Sequence, residues 1–220
     1  MKKKQSYSHI IWDWNGTLFD DVSWCIEVIN SMLVKRGLNE LRNVSEYRNA
    51  FCFPIIQYYR NVGFDFSLES FNDLATEYIF LYHSNKSGNC NLYPGTDFVL
   101  ASFRNLGITQ TILSASEKSN LLSQMSEFNI MKYFDEVLGL SDIYAKSKVD
   151  IGLDYINRNN IDRAILVGDT KHDYEVANSL VIECVLIPNG HQNREMLLTC
   201  EVPVLEDISC VVEYIKSFTK

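Results

Sequence analysis

The amino-acid sequence predicts an α/β fold, in which a parallel sheet is covered by helices and a small all-helical unit is inserted after the first strand. From about residue 94 onward, apolar runs typical of buried strands alternate with helical patterns, as expected for a parallel sheet with helices on both faces. Residues 21–93, in contrast, carry helical patterns and no convincing strand. We therefore expect a core built from residues 1–20 and 94–220, with residues 21–93 as the insert.

The strands of the core are predicted from short apolar runs, which lie at residues 9–14, 109–115, 136–140, 164–168 and 183–188. The run at 136–140 is the weakest of them. Apolar residues at helical spacing predict the intervening helices, at residues 96–105, 118–128, 149–158 and 174–180. Gly107 suits the C-terminal cap of the first of these helices. The order of elements is thus strand and helix in alternation.

The insert is predicted as a small helical bundle. Helical spacing of apolar residues covers residues 22–36, 44–61 and 68–83, and Pro54 interrupts the second of these segments. Residues 88–95 are rich in turn-forming residues and mark the return to the core.

Composition and charge exclude several classes of protein. Among the 220 residues, 46% are hydrophobic and 22% are charged, which is typical of a folded protein. The net charge of −8 disfavours binding to nucleic acid. The apolar stretch at residues 9–12 is too short for a secretion signal or a membrane span, so we expect a cytoplasmic protein without membrane association. Six cysteines without a Cys-x-x-Cys pair indicate free thiols. We also expect a monomer, with a weak dimer as the alternative.

The most informative segment is the first predicted strand with the residues that follow it. Asp13 comes directly after a buried apolar run, where an ionised carboxylate is costly unless a cation or hydrogen-bond donors lie beside it. The carboxyl ends of strands are also where open parallel sheets bind ligands. A carboxylate in this place can act as a nucleophile or as a metal ligand.

A second acidic segment follows the strand predicted at residues 164–168. Asp169 and Asp173 lie there four residues apart, and Gly168 allows a tight turn before them. Together with Asp13 on a neighbouring strand, they form an oxygen-rich site of the kind that Mg²⁺ prefers. The sequence therefore predicts a magnesium site.

These segments resemble the motifs of the haloacid dehalogenase-like hydrolase superfamily. Residues 13–20, Asp-Trp-Asn-Gly-Thr-Leu-Phe-Asp, resemble its first motif, and Gly168, Asp169 and Asp173 resemble its fourth. The strand that ends near Ser114 resembles the second motif. A lysine at the start of a helix, either Lys146 or Lys148, resembles the third. The order of these motifs in the chain, over residues 10–173, is that of the superfamily.

The resemblance implies a Rossmann-like core, a C1 helical cap and a magnesium-dependent phosphatase that acts on a small phosphorylated metabolite. Asp13 would attack phosphorus and form an aspartyl-phosphate, and Ser114 would donate to a phosphoryl oxygen. A lysine would neutralise charge on Asp13 and on the phosphate. The Asp13 carboxylate, the Asn15 carbonyl and Asp169 would hold Mg²⁺, with Asp173 acting directly or through water. The subgroup that it resembles most is that of the phosphoglycolate phosphatases.

The resemblance leaves two candidates for the lysine. Ser147 suits the N-cap of the helix predicted at 149–158, which places Lys148 at the mouth of that helix and favours it. The more common Lys-Pro pattern of the superfamily aligns Lys146 instead.

Asn15 departs from the pattern of the superfamily's phosphatases, which carry an aspartate there as the general acid and base. An amide cannot exchange a proton at neutral pH, so a contribution of about a hundredfold is missing from this residue. We favour a phosphatase that is selective for good leaving groups or takes its proton elsewhere. The alternatives are a phosphonatase or dehalogenase, and a phosphate-binding regulatory protein with low turnover.

Two further residues are interpreted as part of the surface. His172, between the two aspartates of the fourth motif, is expected to be a surface-loop histidine. Arg60, in the aromatic stretch of residues 51–60, can be proposed to reach an anionic substrate group, but a solvated arginine is favoured.

Overall fold

The computed structural model describes residues 6–84, 90–141 and 147–218. Within these ranges the strands are β1 (His9–Trp12), β2 (Phe19–Asp20), β3 (Asn91–Leu92), β4 (Thr109–Glu117), β5 (Glu136–Leu140), β6 (Ala164–Gly168) and β7 (Glu183–Leu186). The helices are α1 (Val22–Lys35), α2 (Val44–Ala50), α3 (Ile55–Asn61), α4 (Phe71–Ser84), α5 (Thr96–Asn105), α6 (Lys118–Ser126), α7 (Lys148–Asn159), α8 (Lys171–Ser179), α9 (Arg194–Leu198) and α10 (Cys210–Lys216).

The five longer strands form one parallel sheet in the order β5-β4-β1-β6-β7. The predicted α/β fold with a parallel sheet is therefore confirmed. Strand β1 lies in the centre of the sheet. The next two strands of the sheet, β4 and β5, lie on one side of it, and the last two, β6 and β7, lie on the other. This reversal creates a crevice at the carboxyl ends of the central strands, which is where such sheets bind ligands.

Alternating side chains of the sheet point to two separate apolar layers. Ile10 and Trp12 of β1 pack on one face with α5, α6 and α10, whereas Ile11 packs on the other face with α7, α8 and α9. All three residues are fully buried. Burial on both faces explains why the strands are almost continuously apolar and why a charged residue follows only where the strand ends.

The four helices between β2 and β3 have an apolar core of their own. Ile29, Met32 and Leu33 of α1 are fully buried against Tyr47 of α2 and Leu74 of α4. Pro54 separates α2 from α3, as predicted from the sequence, because its ring cannot continue the hydrogen-bonding pattern of a helix.

Some element bounds differ from the sequence predictions. The pair β2 and β3 was missed, including a strand in the region predicted to hold none, because two-residue strands are too short to show an alternating pattern. Helix α8 begins three residues earlier than predicted, at Lys171, because Thr170 caps it. Helices α9 and α10 were not predicted. Of the helices in the described ranges, none combines the length and hydrophobicity that a bilayer crossing requires.

Candidate active site

The register of the sheet brings the predicted motifs together. Trp12, the last residue of β1, pairs with Ile112 of β4 on one side and with Val167 of β6 on the other. Asp13 therefore lies beside the chain segments that carry Ser114 and Asp169. All three side chains are buried and line one cavity.

Lys148 bridges two of the carboxylates of the site. Its Nζ atom lies 2.6 Å from Oδ1 of Asp13 and 2.6 Å from Oδ1 of Asp173. Ser147 caps α7 through a capping box with Asp150, and so directs Lys148, the first residue of the helix, toward the sheet. Lys148 is thus the one of the two candidate lysines that the structure places beside Asp13; Lys146 lies outside the described residues.

Both carboxylate oxygens of Asp173 are already engaged. Lys148 donates to Oδ1, while the Thr170 hydroxyl, at 2.7 Å, and the Thr170 backbone N–H, at 3.1 Å, donate to Oδ2. Asp173 therefore closes the capping box of α8 and holds the lysine at the same time. Of the two ways in which Asp173 was expected to serve a metal, this arrangement favours contact through water.

Asp169 is fully buried and is held by donors from two other segments. The Thr17 hydroxyl donates to Oδ1 at 3.0 Å, and the backbone N–H of His191 donates to Oδ2 at 2.6 Å. Gly16 and Gly190 pass so close that a Cβ atom on either would collide with the Asp169 carboxylate. The site therefore requires glycine in both places.

The three carboxylates of Asp13, Asp169 and Asp173 can place oxygens within 4.8 Å of one another, which is a spacing that suits a cation. Burial and the neighbouring Asp173 carboxylate raise the pKa of Asp13 to about 8, although Lys148 opposes the shift. Burial likewise raises the pKa of Asp169 to about 6. These three buried carboxylates repel one another when they are ionised. A divalent cation between them would offset this repulsion.

The Asn15 side chain is held by a network of polar groups. Its amide donates to Oδ2 of Asp21 at 2.8 Å and to the Tyr82 hydroxyl at 3.2 Å, and its carbonyl oxygen accepts from Ser116 at 2.8 Å. The Tyr82 hydroxyl in turn donates to Asp21 at 2.6 Å. Every polar atom of the Asn15 side chain is therefore committed to a partner.

The structure adds a buried pair that sequence reasoning missed. Nε2 of His191 lies 3.4 Å from Oδ1 of Asp21, and Nδ1 of His191 lies 2.9 Å from the Tyr47 hydroxyl. Although burial opposes it, the Asp21 carboxylate helps to raise the pKa of His191 to about 9, so the ring is cationic at neutral pH. Two features of the sequence could have indicated this pair. They are the acidic residues at the end of the first motif and the histidine that follows β7 at the same edge of the sheet.

The second predicted motif residue, Ser114, lies in β4 near its carboxyl end. The side chain is buried, and its hydroxyl oxygen accepts a hydrogen bond from the backbone N–H of Ser116 at 3.1 Å. No described residue accepts the hydroxyl proton, which can therefore be donated to an oxygen that enters the cavity.

The cavity has a volume of about 640 Å³ and extends from the carboxylates to the helical segment. Arg60 does not line it: the side chain is exposed and its guanidinium lies over the Phe66 ring at 5.2 Å. The expectation that His172 is a surface-loop residue is wrong, because it lies in α8, lines the cavity and stacks on Phe53 with ring centres 4.4 Å apart.

The chain belongs to the haloacid dehalogenase-like hydrolase family, whose model matches residues 10–187. The matched range includes all four motifs that were identified in the sequence, so the predicted family and the assignment as a hydrolase are confirmed. No curated protein matches the sequence significantly.

Solved structures share the fold over nearly the whole chain. A predicted phosphatase from Clostridium acetobutylicum has 19% identity and a TM-score of 0.79, with 97% of this chain and 100% of that chain covered. A predicted phosphoglycolate phosphatase from Haemophilus somnus has 16% identity and a TM-score of 0.77, with coverages of 94% and 97%. Protein Tyrosine Kinase A from Mycobacterium tuberculosis has 20% identity and a TM-score of 0.80, with coverages of 96% and 98%. Proteins named as phosphatases and a protein named as a kinase therefore share this architecture.

Proposed function

We propose that the protein is a magnesium-dependent phosphatase, which hydrolyses a small phosphorylated molecule through an aspartyl-phosphate on Asp13. The observation that carries the proposal is the contact of the buried Asp13 carboxylate with Lys148, beside two further buried carboxylates and Ser114. A carboxylate meets an anionic phosphoryl group only where cations offset the repulsion between them. The membership of the hydrolase family and the fold shared with phosphatases support the same reaction.

In the first half of the reaction, an oxygen of Asp13 forms a bond to phosphorus while the bond from phosphorus to the leaving oxygen breaks. The Lys148 ammonium, at 2.6 Å from Asp13, neutralises the nucleophile and the incoming phosphoryl oxygens together. The Ser114 hydroxyl donates to one of those oxygens. Asp173 holds Lys148 in place and is itself held by Thr170, so this charge need not be moved during the reaction.

The Asp13 carboxylate, the Asn15 backbone carbonyl and Asp169 would hold Mg²⁺, with Asp173 in contact through water. A magnesium ion bound there supplies positive charge against the phosphoryl oxygens. The Thr17 hydroxyl and the His191 backbone N–H fix the orientation of Asp169.

In the second half, a water oxygen forms a bond to phosphorus while the bond from phosphorus to the Asp13 oxygen breaks. The protons of the water stay with the released inorganic phosphate, and the Asp13 carboxylate is regenerated. Asn15 takes no part in moving protons in either half, because an amide neither donates nor accepts a proton at neutral pH. Its role is to hold the loop after β1 through the contacts with Asp21, Tyr82 and Ser116.

Residues 21–93 act as a cap over the site, with residues 1–20 and 94–220 as the core. Helix α2 connects the two parts: Tyr47 contacts His191, the Asn193 amide donates to Asn49 at 2.8 Å, and Arg48 donates to the carbonyl oxygens of Asn189 and Gly190. A cap of this kind excludes water and limits access to the nucleophile.

The test is hydrolysis of p-nitrophenyl phosphate by the wild-type protein and by the Asp13→Asn variant, with and without Mg²⁺. We expect metal-dependent turnover that falls at least about a thousandfold in the variant, because the amide cannot attack phosphorus. Acid quenching followed by peptide mass spectrometry should find phosphate on the peptide that contains Asp13.

The matched control is Asp154→Asn, which makes the same change at an exposed carboxylate of α7. This variant should retain wild-type turnover. Equal turnover by wild type and Asp13→Asn would refute the proposed mechanism.

A further inference from the structure

We propose that the substrates of this site are aryl phosphate monoesters without a second anionic group, which the charge and shape of the cavity select. This inference rests on the proposed phosphatase function and specifies which esters the enzyme accepts. Three independent features carry it: the cations of the cavity, its apolar wall and the side chain of Asn15.

The first feature is that the two strongest bases among the described residues of the cavity already have partners. Among the described residues that line it, none is an arginine, and the basic side chains are Lys148, His83, His172 and His191. Lys148 is bound between Asp13 and Asp173, and His191 lies between Asp21 and Tyr47.

The other two histidines provide little positive charge. Nδ1 of His172 lies 3.7 Å from Glu175, so its charge, when present, is balanced there. Burial lowers the pKa of His83, which leaves that ring neutral. Glu117 also lines the cavity. A carboxylate on the organic part of the substrate would therefore be desolvated without a described cation to receive it. The cavity therefore disfavours the binding of phosphoglycolate, whose carboxylate lies next to its phosphate ester.

The second feature is the apolar wall that the helical segment presents. Phe51 and Phe53 line the cavity from the loop after α2, and Phe71 and Ile79 line it from α4. The Phe51 ring is stacked against His191, with centres 5.0 Å apart. The volume of about 640 Å³ is within the usual range for sites that enclose an organic ligand. An aromatic ring fits such a wall because it buries apolar surface and stacks on other rings.

The third feature is the fate of the leaving oxygen. When the bond from Asp13 to phosphorus forms, the ester oxygen departs with the electron pair, and Asn15 cannot protonate it. Of the two ways to complete the step, a good leaving group or a proton from elsewhere, we infer the first: the oxygen leaves as an anion and takes its proton from solvent water. A phenol has a pKa of about 10, close to that of tyrosine, whereas the pKa of an aliphatic alcohol is close to that of water, about 15.7. Without a general acid, the aryl oxide is the better leaving group by several orders of magnitude.

The experiment measures kcat/KM of the wild-type protein with Mg²⁺ for phenyl phosphate, 4-carboxyphenyl phosphate, benzyl phosphate and phosphoglycolate. Phenyl and 4-carboxyphenyl phosphate differ by one carboxylate, and the carboxylated phenol is the better leaving group. Slower turnover of that ester therefore reports on the carboxylate and not on the leaving group. Phenyl and benzyl phosphate share the ring but differ in the acidity of the alcohol. We expect phenyl phosphate to be preferred over each of the others by at least about tenfold.

A pair of variants tests whether the helical wall selects against the carboxylate. Ile79→Lys places a cation on the cavity face of α4, and Phe80→Lys places the same cation on its exposed outer face. Ile79→Lys should raise the ratio of kcat/KM for 4-carboxyphenyl over phenyl phosphate about tenfold, whereas Phe80→Lys should leave the ratio unchanged. Because only ratios are compared, a partial loss of folded protein does not affect the result.

The outcomes separate the two proposals. Absence of metal-dependent turnover with every ester would refute the phosphatase function itself. Turnover in which phosphoglycolate, benzyl phosphate or 4-carboxyphenyl phosphate equals or exceeds phenyl phosphate would refute only the substrate class. An unchanged ratio in Ile79→Lys would likewise contradict the selection by the helical wall.

Discussion

The two walls of the cavity are built by different forces. On the core wall, Asp13, Lys148 and Asp169 are charged side chains at the ends of strands and a helix, and each is held by at least two polar partners. On the helical wall, Phe51, Phe53 and their neighbours are held by ring contacts and apolar packing. The first wall fixes the position of charge to within a hydrogen-bond length, which catalysis requires. The second fixes shape, which in our proposal selects the substrate, and apolar packing tolerates change more readily than a charged contact.

The sharpest way to break this contrast is to remove the charge at its centre. Lys148→Met keeps the length of the side chain but leaves Asp13 and Asp173 facing each other without a cation. We expect turnover to fall by about a thousandfold and the free energy of unfolding in the absence of Mg²⁺ to fall by about 3 kcal/mol near pH 8.

The stability loss should shrink as the pH falls, because a carboxylate with a raised pKa takes up a proton and the repulsion ends. Urea unfolding at several pH values measures this. Lys118→Met, at an exposed lysine, is the control and should change neither property. A loss of stability that grows toward acid pH would contradict the assignment of the charge.

A second prediction concerns Asn15, the position on the core wall that lacks a proton donor. Asn15→Asp introduces a carboxyl group beside Asp21, whose Oδ2 lies 2.8 Å from the Asn15 amide. The proximity of two carboxylates favours a proton on one of them, as a general acid needs. We expect kcat/KM for benzyl phosphate to rise by about a hundredfold and that for p-nitrophenyl phosphate to change little, because only the poorer leaving group needs protonation.

Asn15→Ser, which removes the amide without adding an acid, is the matched control. It should not accelerate benzyl phosphate turnover. Equal acceleration by both variants would show that loss of the amide, and not gain of an acid, is responsible.

The smallest expected effect concerns how pH controls metal binding on the core wall. The pKa of Asp13 is raised to about 8 and that of Asp169 to about 6, so both carry more protons than usual near neutral pH. A cation must displace these protons, and the affinity for Mg²⁺ should therefore rise at least about tenfold between about pH 6 and pH 8.

Titration calorimetry in two buffers of different ionisation enthalpy measures both the affinity and the protons released. In Asp13→Asn the dependence should be confined to pH values near 6, where Asp169 still titrates. An affinity for Mg²⁺ that is independent of pH would contradict the raised pKa values.

Much of the core was predictable because its signals are local. Buried parallel strands must be apolar along their length, and a charged residue directly after such a run marks the functional edge of the sheet. Asp13 and Asp169 were found on this basis, and the order of the motifs led to the family. Ser147 as a helix cap was also readable, because a capping residue and its partner lie three positions apart.

The tertiary structure decided what local patterns cannot encode. The contacts of Asp21 and Tyr47 with His191 join residues that are far apart in the chain, and no periodicity links them. Likewise, only the tertiary structure showed that rings from α4 and from the loop after α2 line the same cavity as the carboxylates. The sequence by itself determined where charge must emerge from an apolar strand, because that cost is local. Which distant groups balance the charge, and which rings face it, depends on how the helical segment packs against the rest of the chain.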